Sequence, residues 1–142
     1  MSGVLLDTNA LVWFLNGDPL SAASLAAIAR AQQSAQLLLS PISAWEASLA
    51  LRKPVHRPSI PDDDASAWFR AALRLDGARL VPICRRIALE AAKVPLVHDN
   101  RDPGDCFLIA TARVRRVPIV TRDHAMIALS HHRPDYLAVI KC

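Results

Sequence analysis

Long hydrophobic runs are missing from this chain. Although 52% of its 142 residues are hydrophobic and its mean hydropathy is +0.20, no uncharged apolar run reaches the roughly 18 residues of a membrane-spanning helix. A membrane protein is excluded, because the charged residues, 21% of the total, are spread along the sequence. A secretory signal is not read either: the N-terminus has no basic n-region, and Asp7 cuts its first apolar run, so the cytoplasm is the expected compartment. Cysteine is scarce. Cys84, Cys106 and Cys142 make neither a metal-ligand spacing nor an even disulfide set, and are expected as small, mostly buried thiols. No internal repeat is present, and no Ser or Cys is convincingly placed for a nucleophilic triad.

Lysine is scarce too, at three residues against fourteen arginines, in a chain of net charge +4 and pI near 9.4. A basic, Arg-rich chain suits bidentate contacts to a polyanion, although a GC-rich genome would produce the same Ala, Arg and Pro bias. The length fits one domain over residues 1–142, large enough to bury roughly two-thirds of its unfolded surface.

Short apolar strands are expected over Gly3 to Leu6, Leu37 to Leu39, Arg79 to Val81, Val117 to Val120 and Leu137 to Ile140. Helices are expected between them. Thr8 to Leu15 is stopped by Asn16-Gly17-Asp18-Pro19, and Ser21 to Gln33 carries Leu25, Ile28 and Ala29 on one face. Ser40-Pro41 opens a third helix with Ile42, Trp45 and Leu49 as its apolar positions and Glu46 on the same arc. Lys53 to Asp64, with Pro54, Pro58 and Pro61, reads as a loop, and Asp64 caps a helix from Ala65 to Leu75 carrying Trp68, Phe69 and Leu73. Ile87 to Val94 is helical, His98 to Arg101 leads into the next helix, and a short helix follows Asp123. His124 stands near that acid, His131 and His132 read as an exposed helix end, and Trp13, Trp45 and Trp68 as core or interface. The alternation implies an α/β fold with a central parallel sheet of about five short strands and helices on both faces.

Asp102 to Asp123 is the most informative stretch. Asp102-Pro103 is a strong helix start, and Asp105, Leu108, Ile109 and Ala112 follow at i, i+3, i+4 and i+7, so Asp105 shares the apolar face. Asp7 and Asp123 each follow an apolar strand. Parallel strands all end at one edge, which brings Asp7, Asp123, Asp105 and the inward Glu46 together. Asp7, Asp102 and Asp123 also suit helix N-caps, but capping does not require an acid on an apolar face. Close carboxylates repel and resist desolvation, so a site holding several is normally completed by cations, and hard oxygens select Mg²⁺ or Mn²⁺. Such ions clamp a phosphodiester and activate water, which is nuclease chemistry.

Val4-Leu5-Leu6-Asp7-Thr8-Asn9-Ala10-Leu11-Val12-Trp13, Ser43-Ala44-Trp45-Glu46, Asp102-Pro103-Gly104-Asp105 with Leu108-Ile109-Ala110, and Val120-Thr121-Arg122-Asp123 together resemble the PIN domain, specifically the VapC toxins of VapBC toxin–antitoxin pairs. The resemblance covers essentially the whole chain. It implies a Mg²⁺- or Mn²⁺-dependent endoribonuclease, usually a homodimer, neutralised by a VapB-like antitoxin. Matched residue by residue, Asp7, Glu46, Asp105 and Asp123 take the places of the family's acidic quartet, with Asn9, Asp102 and Thr121 as neighbours. One departure concerns the third acid: many relatives carry an aromatic residue and an Arg around it, where this chain has Gly104 and Cys106.

Two rivals lack a needed acid. A haloacid-dehalogenase-like phosphatase requires a second Asp two residues after the first, and that position is Asn9. A response-regulator receiver needs paired acids after the first strand, and Asp7 stands alone. A PIN scaffold kept only for binding a partner is the third alternative, against which the intact acid set argues.

Overall fold

A computed structural model describes residues 3–99 and 101–142; Asn100, within the expected lead-in from His98 to Arg101, lies outside the described residues. The chain alternates as β1 (Val4–Leu6), α1 (Thr8–Asn16), α2 (Ala22–Gln33), β2 (Leu37–Leu39), α3 (Pro41–Ala50), a 3₁₀ turn (Pro61–Asp63), α4 (Ala65–Leu73), β3 (Ala78–Leu80), α5 (Arg85–Val97), α6 (Pro103–Arg115), β4 (Ile119–Thr121), α7 (His124–His132) and β5 (Val139–Lys141). The five strands form one sheet in the order β3-β2-β1-β4-β5, and every pairing is parallel. None of the described helices is long and apolar enough to cross a membrane.

Both faces of the sheet are covered, as near-continuous apolar strands demand. Alternation within three-residue strands divides the core. Leu5, Leu38 and Ile119 face a layer built on Ile87, Val94, Leu108, Ile109 and Met126 of α5 to α7. Val4, Leu6, Leu37, Leu39 and Val120 face the opposite layer, with Leu11, Ile28, Ala47 and Trp68 of α1 to α4. The register pairs Leu5 with both Leu38 and Ile119, so each layer continues across neighbouring strands.

The strand order places the site. Progress from β1 through β2 to β3 runs toward one edge, and β4 and β5 are then added on the other side of β1, so the connections diverge between β1 and β4. Ligands of open α/β sheets bind at such a divergence, beyond the carboxyl ends of the strands. Asp7 follows β1 there and Asp123 lies just past β4.

Several expectations need correction. On α2 the buried residues are Ser24, Ala27, Ile28 and Ala31, while Leu25 and Ala29 are exposed. Small side chains let that helix close on the sheet, and the buried Ser24 hydroxyl is satisfied by Ser21 and the Lys141 carbonyl. On α3 the buried positions are Ser43 and Ala47; Trp45 and Leu49 are 46% and 40% exposed, because α3 crosses α1 and α6 closely with its small residues. β3, β4 and β5 are shifted by one or two residues from the expected runs, α4 stops at Leu73, which is surface-exposed, and α5 extends through Pro95 to Val97. Cys84 is exposed at the N-cap of α5, whereas Cys106 is buried and Cys142 half-buried.

Candidate acidic site at the sheet edge

Three aspartates are fixed by capping helices. Asp7 Oδ1 accepts the Ala10 N–H at 2.7 Å, Asp123 Oδ1 accepts that of Met126 at 2.9 Å, and Asp102 Oδ1 accepts that of Gly104 at 2.9 Å. Capping occupies one oxygen of each carboxylate and sets its rotamer. On Asp7 the second oxygen, Oδ2, takes a short hydrogen bond from the buried Thr121 hydroxyl, which itself accepts the Asp123 N–H at 2.9 Å. Thr121 therefore ties the end of β1 to the start of α7.

Glu46 is held differently. Its Oε1 accepts the Thr8 hydroxyl at 2.5 Å, and Thr8 also pairs with the buried Ser43 hydroxyl at 3.1 Å. Ser43 lies one helical turn before Glu46 on the face of α3 that meets α1 and α6. Opposite that face, Gly104 in the first turn of α6 supplies the space: a Cβ there would lie 2.6 Å from Glu46 Cδ and closer still to Oε2. Asp105 follows on α6, half-buried, with Leu108, Ile109 and Ala112 buried below it.

Asp7, Glu46, Asp105 and Asp123 line one cavity of about 430 Å³, together with Thr8, Asn9, Trp13, Lys53, His56 and Arg122. Asp102 is exposed and outside the cavity lining, yet one oxygen each of Glu46, Asp102 and Asp105 lie within 4.8 Å of one another. Of the expected neighbours, Asn9 lines the cavity and Thr121 braces Asp7, while His124 is exposed and is not part of the cavity lining. Sequence reasoning missed Thr8, Ser43, Lys53, His56 and Arg122. Thr8 and Ser43 carried a usable signal, since one adjoins Asp7 and the other sits at i−3 from Glu46.

The electrostatics match the crowding. Burial, with Asp123 and Asp105 nearby, pushes the Asp7 carboxyl up to about 6 despite its hydrogen bonds from Thr121 and Ala10. Burial followed by the charges of Asp105, Asp102 and Asp7 pushes Glu46 up to about 7 against the Thr8 bond. A larger cavity, about 540 Å³, opens near Arg113 and Tyr136, but Arg113 is already paired with Glu90 at 2.7 Å and bonded to the Tyr136 carbonyl. The acids sit in the smaller one.

The family profile of the PIN domain matches residues 4–131. This chain belongs to the PIN domain family. Solved structures share the PIN fold over nearly the full length: VapBC2 from Rickettsia felis bound to a promoter DNA fragment aligns with a TM-score of 0.68 at 13% identity, covering 97% of each chain. DNA-bound VapBC from Salmonella typhimurium gives 0.64 at 13% identity over 99% of this chain and 98% of that one. A toxin–antitoxin complex from Klebsiella pneumoniae gives 0.57 at 17% over 97% and 96%. A sequence search of curated proteins finds no match. At such identities the PIN neighbours speak for the fold, and the acids must be judged by their own geometry.

Proposed function

We propose that this PIN protein is a Mg²⁺- or Mn²⁺-dependent endoribonuclease, the VapC-type toxin of a type II toxin–antitoxin pair acting in the cytoplasm. The observation that carries the reading is the gathering of Asp7, Glu46, Asp105 and Asp123 around one cavity at the divergence between β1 and β4. The donor set fits a hard divalent cation. Every candidate ligand is a carboxylate oxygen, one oxygen each of Glu46, Asp102 and Asp105 lie within 4.8 Å of one another, and burial together with the neighbouring acids raises the carboxyls of Asp7 and Glu46. When bound, such a cation lowers the pKa of water and offsets the charge of a phosphodiester under attack.

The protein's own part is orientation. Thr121 and the Ala10 N–H hold Asp7 by both oxygens, Thr8 holds Glu46, and the Met126 N–H aims Asp123, so the ligand oxygens are set before the cation arrives. We assign Asp7, Glu46, Asp105 and Asp123 as the catalytic and metal-binding acids, with Asp102, Asn9 and Thr121 as accessories. The net charge of +4, carried mostly by arginine, supports an RNA substrate. A VapB-like antitoxin and a second copy of the chain are the proposed partners; relatives crystallised as toxin–antitoxin complexes support the first. Exposed Trp45 and Leu49 on α3 supply apolar surface for such contacts.

The test is incubation of the purified protein with tRNA, mRNA and single-stranded DNA, with and without Mg²⁺ or Mn²⁺. Cleavage of RNA that chelation abolishes is expected. Cleavage surviving EDTA, or retained in full by Asp105→Ala, would overturn the mechanism, and no cleavage at all would leave the partner-binding scaffold as the better reading.

A further inference from the structure

The acidic cavity has a basic side. Lys53 and His56, from the loop after α3, and Arg122, just past β4, line it alongside the four acids. Arg122 is anchored: its guanidinium stacks 4.1 Å from the centroid of the Trp13 ring, and Nη2 donates to the Pro19 carbonyl at 2.7 Å. Stacking on an aromatic face holds the fork flat, and the Pro19 carbonyl and the Cys142 side chain engage part of its set of in-plane donors. Among the described residues Arg122, Lys53 and His56 form no ion pair, although carboxylates line the same cavity. The charges of Arg122 and Lys53 are not neutralised by a salt bridge among the described residues. His56 is also held at φ 58°, a left-handed conformation uncommon for a residue with a Cβ.

An acidic floor repels a nucleic-acid strand. A cation offsets that repulsion only at the reacting phosphate, so the rest of the strand needs positive groups beside the acids. We infer that Arg122, braced by Trp13 and joined by Lys53 and His56, binds the phosphate adjoining the scissile one on an RNA strand. These are positioning residues. The inference deepens the ribonuclease reading and rests on it for the identity of the strand. It also supplies phosphate contacts just past β4 and in the α3–α4 loop, where Gly104 and Cys106 beside the third acid provide none.

The experiment measures binding and kinetics separately. In an Asp105→Asn background with Mg²⁺, fluorescence anisotropy of a labelled single-stranded RNA gives Kd across a salt series. Arg122→Gln should weaken Kd about tenfold and lower the slope of log K against log salt by about 1. Arg122→Lys should keep the slope and recover part of the affinity, since a lysine keeps the charge but not the stacked fork. In the otherwise unaltered protein, Arg122→Gln should raise KM with kcat changed less than about twofold. Lys53→Gln, on an exposed loop, should lower the slope similarly and serves if the Arg122 variants fold poorly. Unchanged Kd and slope, an equal loss from the remote Arg30→Gln, a fall in kcat at constant KM, or no RNA binding by the parent would each overturn the inference. Absence of cleavage by the unaltered protein would instead overturn the ribonuclease reading, with the binding series still deciding the role of Arg122.

Discussion

The carboxylate of Glu46 rests against the bare Cα of Gly104, two residues past the Asp102 cap and one before Asp105. That contact joins α3 to the first turn of α6 and lets acids from two helices share one site. Gly104→Ala is expected to displace Glu46 rather than the backbone, because the overlapping atoms are the end of a flexible side chain. RNA cleavage should fall by an order of magnitude or more. Stability should hold or rise, since Ala is favoured over Gly in a helix by roughly 1 kcal/mol. Parallel measurement of cleavage and urea midpoint checks this; full activity in the Ala variant would mean that the position of Glu46 against α6 is not required.

Asp102 and Asp105 test how far capping and site chemistry overlap. Asp102 caps α6 through Gly104, yet its carboxylate also stands within 4.8 Å of ligand oxygens on Glu46 and Asp105. Asp102→Ala should cost about 1 kcal/mol of stability and retain part of the cleavage, and Asp102→Ser, which restores a cap without a charge, should recover the stability alone. Asp105→Ala should abolish cleavage with little change in melting temperature. Equal loss of cleavage from both alanine variants at equal stability would place Asp102 among the main ligands.

The four acids were legible because each is tied to a local pattern: an apolar strand ending in Asp7, another just before Asp123, an Asp-Pro helix start before Asp105, and a Ser-Pro start before Glu46. Parallel strands then turn sequence positions into one edge. The faces of α2 and α3 were not legible, because hydrophobic periodicity marks large residues, and these helices pack through Ala27, Ala31, Ser43 and Ala47, leaving Leu25, Trp45 and Leu49 outside. Lys53 and His56 were hidden for another reason. A proline-rich loop has no period, and only the tertiary path of α3 over α1 and α6 brings it to the site.

Without metal, the site should make stability fall as pH rises. The Asp7 carboxyl moves from an ordinary 3.8 to about 6 and that of Glu46 from 4.5 to about 7. Both shifts are upward, so between about pH 4 and pH 7 the folded protein keeps protons that the unfolded chain releases, and unfolding free energy declines with pH. Below the unfolded values this cost is absent, and above the folded values it is complete. For buried Asp7 it is roughly 3 kcal/mol, and for the more exposed Glu46 it is smaller because solvent screens it. Urea titrations in EDTA at steps across that window should show the decline, and Asp7→Asn should lessen it. A mutant curve parallel to the parent's throughout would contradict the assignment of the slope to Asp7.

Metal should invert the ranking of the same two proteins. Asn at position 7 can still accept the Ala10 N–H and meet the Thr121 hydroxyl, but it carries no charge beside Asp105 and Asp123, so metal-free Asp7→Asn should melt higher than the unaltered protein at pH 7.5. A cation that binds only the folded state adds RT ln(1 + [L]/Kd), or about 2.7 kcal/mol at a hundredfold excess over Kd. For a domain of this size that is a rise on the order of 5 to 10 °C. The unaltered protein should show it with Mg²⁺ or Mn²⁺, and Asp7→Asn should show much less, having lost a ligand and its charge. Asp135, exposed and paired only loosely with Arg133 at 3.7 Å, supplies the control, because Asp135→Asn should respond to metal like the parent. Strong destabilisation of metal-free Asp7→Asn together with an undiminished metal-induced shift would make Asp7 a helix cap and brace for Thr121, and would remove it from the cation site.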